Sequence, residues 1–157
     1  MGNEEIEGLG GWLFLLGIGI VISPIFTIQQ IYPLFSELFS SNAWTLLTTP
    51  GTNSYKPYFA SVIIIELTAN ILLLLGSIYM IKLFFKKNSL FPKFFIAVLL
   101  VKLFISIADH ISYKVFIANT TVKFMALMDD ILIFLAFASV WTSYLLVSKR
   151  VENTFIH

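Results

Sequence analysis

Apolar residues fall into four long runs separated by short polar breaks, and those runs set the architecture. The first extends from Trp12 to Ile28, opened by Gly10-Gly11 and interrupted by Pro24. A proline inside a helix frees the carbonyl one turn back, so the run predicts a kinked first span over residues 11–31. Residues 32–57 form the longest break. Within it Leu34, Phe35, Leu38 and Phe39 recur at helical spacing among Ser36, Glu37, Ser40 and Ser41, and Trp44 follows. This pattern predicts a short helix lying in the bilayer interface, anchored by the indole. The tract from Thr48 to Ser54 is turn chemistry.

The second span is predicted over residues 58–83, between Tyr55 and Tyr58 at one end and Lys82, Lys86 and Lys87 at the other. A tight connection over 84–91 contains Asn88-Ser89. It leads to Pro92, at a first-turn position that tolerates proline, and to a third span over 92–111. A weakly polar connection follows. The fourth span covers 124–147, where Lys149-Arg150 stop it, and 148–157 forms a tail.

Each run approaches the ~20 apolar residues that match the hydrocarbon thickness of a bilayer. Of the 157 residues, 58% are hydrophobic and 12% charged, and mean hydropathy is +0.89. A soluble domain carries about 45–50% apolar and about 25% charged residues. The expected fold is therefore all-α: one integral membrane domain, residues 1–157, built as a four-transmembrane-helix bundle. The chain has no cysteine, which removes disulfides, thiolate metal sites and cysteine nucleophiles. A formal charge of +1 offers no basic excess for nucleic acid. No phosphate-binding loop or nucleophile elbow is present. The first eight residues carry three acids and no Lys or Arg, so the first apolar run is expected to stay in the mature protein.

Lys and Arg near the spans set orientation. With four crossings, both termini share a side with the 84–91 connection. That side holds Lys82, Lys86, Lys87, Lys93, Lys149 and Arg150, against Lys56, Lys114 and Lys123 opposite. Six against three predicts both termini in the cytoplasm.

Three blocks carry a likeness to something known: Gly10-Gly11-Trp12-Leu13 at the start of the first helix, Phe84 to Lys93 between spans two and three, and Ser148 to Phe155 at the close. The last is the specific one, a polar Ser-x-Arg-Val-x-x-Thr-Phe tail with no generic reason to follow a span. In these blocks the chain resembles the YdgK-like family of small bacterial inner-membrane proteins, domain of unknown function 2569. The resemblance implies four spans, the bacterial cytoplasmic membrane and no assigned activity; it supplies no catalytic residues.

Polar groups inside hydrocarbon come first as candidates, because a central charge costs about 2.5–3.5 kcal/mol on insertion scales. Glu66 lies about eight residues into span two, about 12 Å deep, and Lys102 about nine residues into span three, about 13 Å deep. Glu66 and Asn70 share a face, as do Lys102, Ser106 and Asp109. On span four Asp129 and Asp130 are expected in the outer leaflet region as well. Two readings of this cluster stand. It is an outward-facing polar cavity for a cation, proton or small polar solute, or it is structural: a Glu66–Lys102 ion pair with an aspartate-capped helix start. His110 and His157 supply no credible metal site, and no cofactor is expected. Gly17, Gly19 and Ser23, and Ala136, Ser139 and Ser143, are small residues suited to close helix packing, within the chain or between copies.

Lys86, Lys87, Lys93, Lys149, Arg150 and Phe155 form a candidate cytoplasmic surface for docking or for lipid headgroups. The partners expected are the bilayer and either a second copy or another membrane protein, not nucleic acid; any small-molecule ligand stays open. The leading function is a non-enzymatic membrane-embedded interaction or accessory protein. The alternative is a small transporter or channel component lined by Glu66, Lys102 and Asp109.

Overall fold

A computed structural model describes residues 7–40, 42–116 and 121–156, with every side chain there except those at 34, 37, 113–116 and 121–129. The described chain is helical throughout. Helix α1 is Trp12–Ser40, α2 is Ala43–Thr48, α3 is Phe59–Phe85, α4 is Phe91–Phe116, α5 is Thr121–Val147 and α6 is Lys149–Thr154. Four of these, α1, α3, α4 and α5, are long and apolar enough to cross a membrane. The protein is a multi-pass membrane protein.

Helix α1 continues past both of its prolines, Pro24 and Pro33. The carbonyl of Ile20 is the one that Pro24 leaves without an amide partner. The Ser23 hydroxyl donates to that carbonyl at 2.9 Å, and the Thr27 hydroxyl donates to the Ser23 carbonyl at 3.0 Å. The ladder is thus repaired from the side chains, as hydrocarbon requires. The second proline, Pro33, does not end the helix either. The amphipathic stretch expected as a separate surface helix is instead the last turns of α1, and the short separate helix is α2, which carries Trp44. Leu38 and the first residues of α3, Phe59 and Ile63, are buried together there, with Phe35, Trp44 and Leu47 packed against them. Trp44 lies 5.2 Å from Phe39, so the indole folds back on α1.

Successive neighbours pack in the order α1, α3, α4, α5. The main core lies at the end of the bundle that carries both termini and the α3–α4 turn, here called the terminal end. Leu13, Leu16 and Ile20 of α1 meet Met80, Leu83 and Phe84 of α3. They also meet Phe91, Phe95 and Leu99 of α4, Leu145 of α5, and Val151 and Phe155.

The α3–α4 turn is closed by backbone geometry. The amide of Asn88 donates to the Leu83 carbonyl at 3.0 Å and that of Lys87 to the Phe84 carbonyl at 3.0 Å, the paired bonds of a Schellman cap. The residue at the left-handed position is Lys87, with φ 51, where glycine carries no Cβ penalty. Asn88 then starts the next helix: its side-chain oxygen accepts from the Leu90 amide at 2.9 Å. Lys87→Gly should raise stability by up to about 1 kcal/mol. A thermal melt in detergent reads it, and a lower midpoint would show that the lysine side chain outweighs the strain.

Candidate functional site

The sequence points to two regions, the polar residues within the spans and the terminal end. On α3 the polar residues are largely satisfied by their own helix. The Asn70 amide donates to the Glu66 carbonyl at 3.0 Å, and the buried Ser77 hydroxyl donates to the Leu73 carbonyl at 2.8 Å. Such back-bonding removes the cost of an unpaired polar group in hydrocarbon.

Glu66 and Lys102 do not form the expected ion pair. Glu66 lies nineteen residues before Phe85, whereas Lys102 lies only eleven after Phe91 and Asp109 eighteen after it. Across an antiparallel α3–α4 contact this puts Asp109 level with Glu66 and Lys102 about 12 Å closer to the terminal end. The expected match placed the end of the third span at Ile111, but α4 stays helical to Phe116. The carboxyls of Glu66 and Asp109 are both half-buried. The Lys102 ammonium sits 5.6 Å from the centre of the Phe134 ring on α5.

The inward face of α4 also differs from the expected stripe. Phe91, Phe95 and Leu99 are buried, and the same spacing leads through half-buried Leu103 and Ser106 to buried His110, 9% exposed. Lys102 falls outside that line and is exposed; Asp109 flanks it. The continuing apolar period was the signal for His110, which sequence reasoning weighed only as a metal ligand. Asp130 is exposed, and the side chain of Asp129 lies outside the described residues. No three His, Asp or Glu among the described residues could hold a metal ion.

At the terminal end, the tail folds back. Val151, Thr154 and Phe155 are buried. The Phe155 ring stacks on Phe91 at 4.6 Å and lies 5.8 Å from Phe84, while Phe84 and Phe91 are 5.1 Å apart. The chain ends are tied as well. The Gly8 amide donates to the Thr154 hydroxyl at 2.8 Å, and that hydroxyl lies 3.4 Å from the Gly8 carbonyl. The Arg150 guanidinium lies over Gly10, where a Cβ would come within 2.9 Å of it. Gly11 follows at φ +61, turning the chain into α1. Trp12 then meets Trp141 of α5 edge-on at 6.4 Å.

Lys86, Lys87, Lys93 and Lys149 are exposed around this platform and Arg150 is half-buried. Phe155, expected on the same surface, is a core residue: a benzyl group one helical turn beyond Val151 gains more from the Phe91–Phe84 cluster than from the interface. Beside it an open depression of about 280 Å³ runs along the α5–α6 elbow, bordered by Pro92, Leu145, Ser148 and Glu152.

The three blocks of the family resemblance therefore meet in space. Gly10 to Leu13, Phe84 to Lys93 and Ser148 to Phe155 build one end of the molecule. A family model described as "Protein of unknown function (DUF2569)" matches residues 6–156, nearly the whole chain. The chain belongs to this family. No curated protein and no solved structure matches it. In this member of the DUF2569 family, the blocks with recognisable sequence are those that lock the ends of the chain together, while Glu66, Lys102 and Asp109 lie deeper within the spans.

Proposed function

We propose that this DUF2569 member is a non-enzymatic accessory protein of the bacterial cytoplasmic membrane, with both termini in the cytoplasm, acting by association with another membrane protein. One observation carries the reading: both ends of the chain and the α3–α4 turn are fastened into a single apolar-cored platform rimmed by exposed lysines. A fixed surface of this kind suits docking. The six-to-three Lys and Arg asymmetry supports its cytoplasmic placement. The hydroxyls of Ser23, Thr27, Thr68, Ser77 and Ser139 donate to carbonyls of their own helices, which suits structural roles and not nucleophiles.

The half-buried Glu66 and Asp109, at one depth on neighbouring helices, favour a second reading, a small transporter or channel component, since acids inside a membrane are a means of holding a proton or cation. Purified protein in liposomes loaded with a pH-sensitive dye separates the two. The accessory reading predicts proton and sodium uptake equal to that of protein-free vesicles. Uptake that Asp109→Asn abolishes would overturn it in favour of transport.

A further inference from the structure

The depression at the α5–α6 elbow lies where two spans reach the same surface of the bilayer. The apolar span on α4 begins at Phe91, and the one on α5 ends at Val147. Pro92 borders the depression from the first, and Leu145, Leu146 and Val147 border it from the second. Leu146 and Val147 are exposed, so acyl chains can lie against them. Past Val147 the border turns polar, with Ser148 and Glu152. An apolar edge toward the bilayer and a polar one toward water, at headgroup depth, match the profile of a lipid. The volume of about 280 Å³ falls just below the about 300–1,000 Å³ of small-ligand clefts. That is room for a headgroup and not for a whole lipid.

Charge decides which headgroup. Lys93 follows Pro92 on the α4 wall and Lys149 follows Ser148 on the α6 wall, both exposed. Their flexible stems let each ammonium lean over the border. Lys149 and Glu152 stand three residues apart and so share a face of α6. Two ammonium groups against one carboxylate leave one positive charge in excess, which a single phosphodiester balances. Basic pockets between spans are known seats for acidic headgroups. The positive-inside bias accounts for lysines at this end, but not for a depression set between two of them.

We infer that the α5–α6 elbow seats the headgroup of one anionic phospholipid. The phosphodiester lies between Lys93 and Lys149, and the acyl chains run along Leu146 and Val147. The inference rests neither on the accessory reading nor on the side of the membrane that the terminal end faces.

Native mass spectrometry of the purified full-length protein in detergent tests it, with phosphatidylglycerol and phosphatidylcholine of identical chains added in turn. One lysine near an acidic headgroup is worth about fivefold in affinity, and Glu152 offsets one of the two. The wild type should therefore take up one phosphatidylglycerol about fivefold more tightly than phosphatidylcholine. Lys93→Gln with Lys149→Gln should abolish the preference, whereas Lys86→Gln with Lys87→Gln, which removes the same charge beside the α3–α4 turn, should keep it. Glu152→Gln should raise the preference about fivefold. Equal affinity of the wild type for the two lipids would overturn the inference without any variant having to fold. An equal loss in both lysine pairs would also overturn it, in favour of a diffuse basic collar. So would a preference that Glu152→Gln leaves unchanged, since the phosphate would then lie away from the elbow. Free glycerophosphoglycerol at the lipid's concentration should leave the lipid bound; displacement would overturn a lipid as the occupant. Ion uptake in liposomes tests the accessory reading separately, so the two can fail independently.

Discussion

Phe91→Ala should cost about 3–5 kcal/mol and lower the melting midpoint in detergent by roughly 10 °C. The side chain is wholly buried, at 0% exposure. Its ring contacts come from three elements: Phe84 of α3 at 5.1 Å, Phe95 of its own helix at 5.9 Å, and Phe155 beyond α6 at 4.6 Å. No neighbour can collapse into the space without leaving its own contacts, which is the condition for a large cavity cost. The loss should also be local. With its stacking partner gone, Phe155 no longer holds α6 down, and trypsin should cut after Lys149 or Arg150 faster than in the wild type. A midpoint within about 2 °C of wild type would mean that the three-ring cluster does not hold the terminal end together.

Gly17→Ala should destabilise by about 1–3 kcal/mol, although alanine is the better helix former. A Cβ at this position would lie 2.8 Å from Cε1 and 2.9 Å from Cζ of Phe84. A free phenylalanine would swing aside, but this one is 2% exposed and has Phe85, Phe91 and Phe155 within 6 Å between ring centres. The close α1–α3 approach therefore depends on glycine. A double-mutant cycle isolates the cause: in a Phe84→Leu background Gly17→Ala should cost much less. Equal cost in both backgrounds would show that the two residues do not interact.

These two residues illustrate what the sequence could and could not tell. Four crossings were legible because run length and hydropathy depend on the membrane, not on neighbours. Val151 and Phe155, spaced one turn apart behind Lys149-Arg150, predict a tail that packs back instead of trailing free, and both are buried. The inward faces were not. In a helix apolar all round, periodicity does not separate core from lipid, so Phe91 and Phe104 look alike although one is fully buried and the other exposed. Depth was misread for a related reason. The end of the third span was set at its last apolar residue, while the backbone continues as helix through Ser112 to Phe116. That displacement set Asp109, in place of Lys102, level with Glu66 and left Lys102 facing outward. The surface helix was misplaced because the first span was ended at residue 31, whereas α1 continues through Pro33 to Ser40 and buries Leu38 against Phe59 and Ile63.

The placement of the terminal platform in the cytoplasm is the central claim, and the absence of native cysteine makes a direct measurement clean. Single variants Asn53→Cys, in the α2–α3 loop, and Glu152→Cys, at an exposed position of α6, are treated with a membrane-impermeant maleimide in intact cells. The account predicts labelling of Asn53→Cys in intact cells and of Glu152→Cys only after lysis. Labelling of Glu152→Cys in intact cells would contradict it.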